Sequence, residues 1–217
     1  MQPHRKTCVY SIRTTCEDTV IDDKAWVLRA QQGDEEAFTL LVEAYQKPVY
    51  NLCYRMLGEP EAAEDASQDT FLKAYQNLGR YDNERPFATW LLSIAAHHCI
   101  DKLRRKRFPS FSIDEDEDEQ VEIPDRHAPD PEAELVSKQD REHLQGLLQK
   151  LEPLDRAAVV MRYWHDASEV EIAETLNLTV PAVKSRLHRA RRALASLWEK
   201  ESPRPRAERK PYGSPAF

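Results

Sequence analysis

Apolar residues recur every three or four positions in the first half of the chain, which is the spacing of one helical face. The face would be formed by Phe38, Leu41, Tyr45, Val49, Leu52 and Met56. Side chains at this spacing lie on the same side of an α-helix and bury a continuous stripe. The pattern therefore predicts a long helix, with Pro48 as a point where it kinks or is interrupted.

A second helix is predicted from Pro60, which suits a first turn, to about Leu78, with Gly79 as a C-terminal cap. Its inner face would consist of Ala63, Ala66, Thr70, Ala74 and Leu78. A second face carries Asp65, Gln68, Asp69, Leu72 and Gln76. An exposed stripe that mixes acids with leucine indicates a surface for a protein partner.

A third long helix is predicted to follow Pro86, after a loop over residues 80–85. Leu92, Ala96, Cys99 and Leu103 would face inward, whereas Trp90, His97, Asp101 and Arg104 fall on another face. The helix ends in a basic cluster made of Lys102, Arg104, Arg105, Lys106 and Arg107.

Helical spacing returns at Leu144, Leu147, Leu148 and Leu151, and residues 168–198 then have the pattern of a helix-turn-helix. Ser168 and Glu171 have the spacing of a capping box, which satisfies free amides at a helix start. Asn177 suits the left-handed conformation of a tight turn, and Thr179 and Pro181 restart the helix.

The last predicted helix has one apolar and one basic face. Val183, Leu187, Ala190, Leu194 and Leu197 form the buried stripe, and Lys184, Ser185, His188, Arg189 and Arg192 lie opposite. This is how a recognition helix presents side chains to the major groove. A merely solvated basic face is the alternative, but the preceding helix and turn favour DNA binding.

The acidic charge of the chain is concentrated in one segment. The net charge is -7, but the stretch from Asp114 to Glu134 holds eleven acids and one arginine, so the rest carries +3. Like charges at this density repel one another and cannot bury a core. The segment predicts a flexible acidic linker between two small helical domains in an all-α protein.

Several classes of site find no support in the sequence. No apolar stretch approaches the length of a membrane span, and no secretory signal is recognisable, so we expect a cytoplasmic protein without membrane insertion. The four cysteines show no paired spacing: Cys53 and Cys99 look like core residues, and Cys8 and Cys16 like unremarkable thiols of a mobile arm rather than a redox switch. We expect no cofactor and no metal.

Two separate motifs resemble one family. Residues 171–176 (EIAETL) and 183–191 (VKSRLHRAR) resemble the DNA-binding end of the extracytoplasmic-function sigma factors. Residues 64–74 resemble their polymerase-binding helix, and residues 87–105 resemble the helix that melts the promoter. The chain has His97 where the family often has Asn, Asn177 where it has Gly, Asp69 where Glu is usual and Ser67 where an aliphatic residue is frequent.

The resemblance implies a non-enzymatic initiation factor with two domains. It divides the chain into an extension (1–24), a region 2 domain (25–107), the acidic linker (108–135), a region 4 helix-turn-helix domain (136–199) and a disordered tail (200–217). The partners implied are core RNA polymerase, promoter DNA and an anti-sigma factor. The linker, by the same analogy, would thread through the RNA-exit path of the polymerase.

The resemblance also implies three sets of binding residues. Core polymerase would be bound by Asp65, Gln68, Asp69 and Leu72. The opened minus-10 element would be bound by Arg80, Asp82, Asn83, Phe87, Trp90, His97, Arg104 and Arg105, with Phe87 and Trp90 as stacking groups for a flipped base. The minus-35 duplex would be bound by Lys184, Ser185, Arg186, His188, Arg189 and Arg192.

Two other functions compete with this interpretation. A helix-turn-helix repressor or activator would explain residues 168–198 but would leave the acidic stripe and the aromatic helix without a use. A metal or thiol enzyme could be built on His97, His98, Cys99 and Asp101, but adjacent helical residues point about 100° apart and do not converge on one ion.

Overall fold

The computed structural model describes residues 23–107 and 131–201, with side chains for all of these except 107 and 131–138. In the first range, α1 spans Asp23–Gln31, α2 Glu35–Leu57, α3 Pro60–Asn77 and α4 Phe87–Arg107, with a 3₁₀ turn at Leu78–Arg80. In the second, α5 spans Pro131–Gln149, α6 Pro153–Trp164, α7 Glu169–Leu176 and α8 Val180–Glu201. The regular elements of both ranges are all helical, which confirms the predicted all-α class.

The predictions for the extension with Cys8 and Cys16, for linker residues 108–130 and for the tail beyond 201 lie outside the described residues.

The central helix α2 begins and ends at side chains suited to those positions. Asp34 Oδ1 accepts from the Ala37 amide at 3.0 Å, and Gly58 adopts a left-handed φ of 87° and donates its amide to Tyr54 O at 2.8 Å. The predicted apolar face is buried, with Phe38 only partly covered. The helix continues through Pro48, so no interruption occurs there.

α3 packs closely on α2 because its inner face is made of small residues. Ala63 and Ala66 are fully buried, and the Thr70 hydroxyl donates to Ala66 O at 2.6 Å. The predicted glycine cap at Gly79 is wrong: α3 ends at Asn77 and the chain tightens into the 3₁₀ turn, with the Tyr81 amide donating to Leu78 O. The Leu78 side chain is only 2% exposed, and its burial anchors the 3₁₀ turn in the core.

α4 places Leu92, Ala96 and Cys99 in the core, as predicted. The thiols of Cys53 and Cys99 are both inaccessible, which confirms them as core residues. A hydrogen bond between the two thiols, together with burial, raises the pKa of Cys53. Protonated thiols of this kind pack as small apolar groups.

The helix-turn-helix is built as the sequence predicts. The Ser168 amide donates to Glu171 Oε2 at 2.8 Å, the Glu171 amide donates back to Ser168 Oγ, and Asn177 lies in the left-handed region at φ 57°. Val183, Leu187 and Ala190 are buried, and Leu194 and Leu197 are half-buried. One boundary differs: α5 begins at Pro131, within the segment predicted as linker, since proline is tolerated in the first helical turn.

The two domains pack directly against each other. α5 and α6 lie on α2, and α6 and α7 lie on α4, so that one continuous core runs through both domains. Side chains of the second domain cap the carboxyl end of α2, whose last carbonyl groups have no partner within the helix. Gln145 Nε2 donates to Tyr54 O at 3.0 Å, and the buried Arg156 guanidinium donates to Met56 O. The Arg55 guanidinium stacks over the Trp164 ring, 4.2 Å from its centroid.

Candidate functional site

The predicted polymerase-binding residues form one exposed stripe on α3. Asp65, Gln68, Asp69 and Leu72 are all exposed, and the Leu72 side chain is 56% exposed. Tyr75, three positions further on and 48% exposed, extends the stripe with an aromatic ring. Sequence reasoning missed Tyr75, although its spacing from Leu72 places it on the same face. Two exposed apolar groups flanked by acids are typical of a protein contact rather than of a solvated helix face.

A histidine on α4 lies beside the middle of this stripe. Lys73 Nζ lies 2.5 Å from His98 Nδ1, and His98 Nε2 lies 3.3 Å from Asp69 Oδ2. Lysine can only donate, so Nδ1 is the acceptor and the ring proton is on Nε2, towards Asp69. Burial, and then the charge of Lys73, lower the pKa of His98. The neutral ring therefore accepts from Lys73 where α3 and α4 meet, and its buried Nε2 lies beside Asp69 without forming a hydrogen bond.

A cavity of about 330 Å³ opens to solvent between α3 and α4. It is lined by Lys73, Asn77, Arg80, Trp90 and Ile94. Only Arg80 and Trp90 were predicted as site residues. The others could have been found from helical spacing, because Lys73 and Asn77 are four residues apart on α3 and Trp90 and Ile94 are four apart on α4. The cavity combines an indole face with two cationic side chains, which is chemistry suited to a base and its phosphate.

The indole of Trp90 is held by a cluster of aromatic rings. The centroid of Trp90 lies 4.8 Å from that of Tyr81 and 5.7 Å from that of Phe87. Phe87 is only 4% exposed and also packs on Tyr45. The prediction that Phe87 offers a stacking face is therefore corrected: its ring faces the core, where it supports Trp90.

The loop that follows α3 is fixed by a side chain from α1. Gln31 Nε2 donates to Leu78 O at 2.9 Å and to Tyr81 O at 3.1 Å, and Asn83 Nδ2 donates to Gln31 Oε1 at 3.0 Å. Asp82 closes the next turn by accepting from the Glu84 amide at 3.0 Å. Arg80, Asp82 and Asn83 are exposed on this hydrogen-bonded loop.

The remaining predicted residues of α4 extend from the cavity along an exposed face. His97, Arg104 and Arg105 are exposed, and Arg104 lies 3.9 Å from Asp101 in a loose ion pair. His97 Nδ1 lies 2.8 Å from Ser93 O, which can only accept, so Nδ1 carries a proton. Cys99 faces the core while His97 faces solvent, and in the described ranges no three His, Cys, Asp or Glu side chains gather as a metal site.

On α8 five of the six predicted minus-35 residues share an exposed face. These are Lys184, Ser185, His188, Arg189 and Arg192. Arg186 is different: its guanidinium binds Asp155 of α6 at 2.6 Å, and only 25% of its side chain is exposed. The prediction that Arg186 binds the minus-35 duplex is corrected, because its ion pair fastens the recognition helix to the domain.

Comparisons with known proteins agree on one family. Residues 41–108 match Sigma-70 region 2, and residues 141–194 match Sigma-70 region 4. The chain is 36% identical over 176 residues to the ECF RNA polymerase sigma factor SigW of Bacillus subtilis, covering 79% of this chain and 94% of that protein. It is 32% identical to the RNA polymerase sigma-H factor of Pseudomonas aeruginosa, over 79% of this chain and 91% of that protein.

Solved structures show the same architecture. CnrH, in its complex with the cytosolic domain of CnrY, superposes with a TM-score of 0.61 at 26% identity, covering 83% of this chain and 99% of that one. The sigma factor RpoE of Bartonella quintana, in complex with the anti-sigma factor NepR, shares the fold with a TM-score of 0.58 at 18% identity, covering 76% of this chain and 98% of that one. The order of the two regions, the helix-turn-helix and the relatives agree, and the chain belongs to the extracytoplasmic-function (ECF) family of RNA polymerase sigma factors.

Proposed function

We propose that this sigma factor divides promoter recognition among three surfaces: the α3 stripe for core polymerase, the α3–α4 cavity for opened minus-10 DNA, and the exposed face of α8 for minus-35 duplex. The chain supplies no catalysis to strand opening. Binding energy for the unpaired strand offsets the cost of separating the bases. The observation that carries the proposal is the cavity, because a repressor that binds only duplex DNA has no use for it.

The polymerase surface is proposed from its composition. Leu72 and Tyr75 offer apolar area, and Asp65 and Asp69 offer charges that a basic partner surface would pair. Exposed apolar residues ringed by polar ones commonly carry most of the affinity of a protein interface. The stripe lies on the opposite side of α3 from its buried alanines, so a partner can bind without disturbing the core.

The cavity is proposed to hold one flipped base. Its volume of about 330 Å³ lies at the lower end of the range of small-molecule pockets, ~300–1,000 Å³, which gives room for a single base. Trp90 supplies the stacking face, and Lys73 and Arg80 supply positive charge for the backbone. Stacking on an aromatic ring contributes about 1–3 kcal/mol per base.

The face of α8 is proposed to enter the major groove of the minus-35 element. Arg189 and Lys184 are exposed at 62% and 63% of their side chains, with only long ion pairs to Asp155 at 4.0 Å and Glu169 at 3.5 Å. Such weak surface pairs exchange readily for contacts with phosphates or guanine edges. The helix-turn-helix geometry aims this end of the helix at the groove.

We also propose the cytoplasm as the location and an anti-sigma factor as a further partner. Polymerase and promoter DNA are both found in the cytoplasm, and no helix in residues 23–107 or 131–201 is long and apolar enough to cross a membrane. In the solved structures described above, RpoE is bound to the anti-sigma factor NepR, and CnrH is bound to the cytosolic domain of CnrY.

Run-off transcription with purified core polymerase tests the three assignments together. Leu72→Ala is expected to weaken core binding about tenfold. Trp90→Ala is expected to slow strand opening at least about tenfold. Arg189→Ala is expected to weaken binding of the minus-35 duplex about tenfold. Matched controls carry the same substitution at an exposed position outside these surfaces: Leu28→Ala, Trp198→Ala and Arg191→Ala. Wild-type protein that fails to bind core polymerase would favour the repressor and overturn the proposal.

A further inference from the structure

His98 lies at one end of the cavity between α3 and α4 and reaches a residue that lines it. It follows Ile94, another lining residue, by one turn of α4, but it is not itself one of the five lining residues. His98 Nδ1 lies 2.5 Å from Nζ of Lys73, which is one of the five. A residue outside the cavity therefore holds a cationic side chain at its wall.

The contact between Lys73 and His98 fixes the ammonium without neutralising it. Lysine can only donate, so His98 Nδ1 accepts, and an imidazole with an accepting nitrogen carries no charge. Within residues 23–107 and 131–201, no carboxylate forms an ion pair with Lys73. A carboxylate would compete with a phosphate for the ammonium, whereas a neutral partner leaves the positive charge available to a ligand.

The surroundings of His98 keep its ring neutral. Burial, and then the charge of Lys73, lower the pKa of His98. The Asp69 carboxylate of α3, 3.3 Å from Nε2, acts in the opposite direction, and Lys102 and Arg105 on α4 lower the pKa further. Because the pKa lies below its ordinary value, Nδ1 remains an acceptor for Lys73 at neutral pH.

The bond to His98 restricts the Lys73 side chain before any ligand arrives. A lysine has a long flexible stem and loses much conformational freedom when its ammonium is held in one place. In Lys73 part of this freedom is already lost in the free protein, because Nζ is bonded to Nδ1. The ammonium still has two N–H groups for a ligand. Binding a phosphate at the cavity therefore costs less entropy than it would with an unrestrained lysine.

We propose that His98 is a positioning residue for opened promoter DNA, and that it holds the Lys73 ammonium where it binds one backbone phosphate beside the cavity. His98 acts through Lys73 and does not itself touch the DNA. The ligand of Lys73 is the anionic backbone, so the effect of His98 is expected to be the same whichever base enters the cavity. The inference rests on the proposed binding of opened minus-10 DNA at this cavity.

The first part of the test establishes the phosphate contact of Lys73. Holoenzyme is titrated onto fork-junction DNA with a single-stranded minus-10 tail of fixed sequence, with enough core polymerase to saturate every variant. Lys73→Ala is expected to weaken tail binding about tenfold, the effect of one charge-assisted hydrogen bond. The slope of log affinity against log salt concentration should also become shallower by about 0.7. Lys47→Ala, at an exposed lysine of α2, is the matched control and should bind as wild type does.

The second part tests the role of His98 with two substitutions. His98→Leu fills similar space but offers no acceptor, so Lys73 is released and tail binding should weaken about fivefold. His98→Asn restores an acceptor oxygen close to the position of Nδ1, so tail binding should stay within about twofold of wild type. Equal losses in the two variants, or an unchanged affinity in His98→Leu, would overturn the inference.

A double variant separates positioning from damage to the packing of α3 on α4. If His98 acts only through Lys73, the combination of Lys73→Ala with His98→Leu should bind no more weakly than Lys73→Ala alone. Losses that add in the double variant would overturn the inference, because His98 would then act by another route.

Failure of the inference and failure of the proposed function give different results. If Lys73→Ala leaves tail binding intact, His98 has no phosphate contact to position and the inference fails. The proposed function still stands in that case, provided that Trp90→Ala weakens tail binding. If neither Lys73→Ala nor Trp90→Ala weakens it, the proposed function fails as well.

Discussion

His165 shows at the scale of one residue how burial constrains a titratable group. Its side chain is 5% exposed, and burial, followed by the charge of Arg55, lowers its pKa to about 4, with Asp166 acting in the opposite direction. Arg55 belongs to the first domain and His165 to the second, so part of this lowering of the pKa depends on the contact between the domains. A neutral imidazole is what this environment requires.

Stability is therefore expected to fall in mild acid. The unfolded chain binds a proton at His165 near pH 6.5, whereas the folded chain does so only near pH 4. The stability that the neutral His165 provides is therefore fully present above pH 6.5 and is lost as the pH falls through this window. The loss amounts to about 2 kcal/mol by pH 5. Urea unfolding followed by circular dichroism at pH 7, 6 and 5 measures it, and His165→Gln should flatten the pH dependence. An unchanged slope in this variant would contradict the assignment.

At the scale of one element, α8 separates its arginines by task. Arg186 binds Asp155 of α6 at 2.6 Å, whereas Arg189, three residues further along, lies 4.0 Å from the same carboxylate and leaves 62% of its side chain exposed. The helix carries a basic stripe along its length, but packing against α6 removes one member of it. Arginine therefore fastens the helix to the domain at position 186 and is left largely exposed at position 189.

Alanine substitutions should separate these two tasks. Arg186→Ala is expected to lower the free energy of unfolding by about 1–2 kcal/mol, because Asp155 loses a partly buried charged partner. Arg189→Ala should change it by less than about 0.5 kcal/mol but should reduce the salt dependence of duplex binding. Thermal unfolding and DNA titrations over a salt series provide the comparison. Equal stability losses in both variants would show that the ion pair to Asp155 is not what distinguishes them.

At the scale of the whole molecule, the contact between the domains conflicts with simultaneous binding of both promoter elements. The minus-10 and minus-35 elements are centred ~25 base pairs apart, which is ~85 Å along the duplex. A compact chain of 217 residues has a radius of gyration of only ~17 Å. We therefore expect the contacts of Gln145, Arg156 and Arg55 across the domains to break when the protein engages a complete promoter.

Gln145→Ala should favour the separated state. Gln145 Nε2 donates only to Tyr54 O and Arg55 O of the other domain, so its loss should raise the open population about fivefold and strengthen core binding by a similar factor. Single-molecule distance measurements between dyes on α1 and α8 report the open fraction, with the exposed Gln46→Ala on α2 as control. An unchanged distance distribution would show that these bonds do not hold the domains together.

Features that depend on neighbours in the sequence were predictable from it. The helical faces follow from a period of 3.6 residues, and the Ser168–Glu171 capping box and the Asn177 turn follow from contacts within three or four positions. The acidic stripe of α3 and the basic face of α8 were located for the same reason. Local periodicity shows which side of a helix is polar.

Only the tertiary structure decided which of these side chains meet. Phe87 and Trp90 are both aromatic residues at the start of α4, but the packing of Tyr45 and Tyr81 buries one and leaves the other at a cavity. Gln31 reaches a loop some fifty residues away, and Arg156 reaches the end of α2 one hundred residues away. Contacts across such separations depend on how whole helices pack, and a single sequence carries no periodic signal for them.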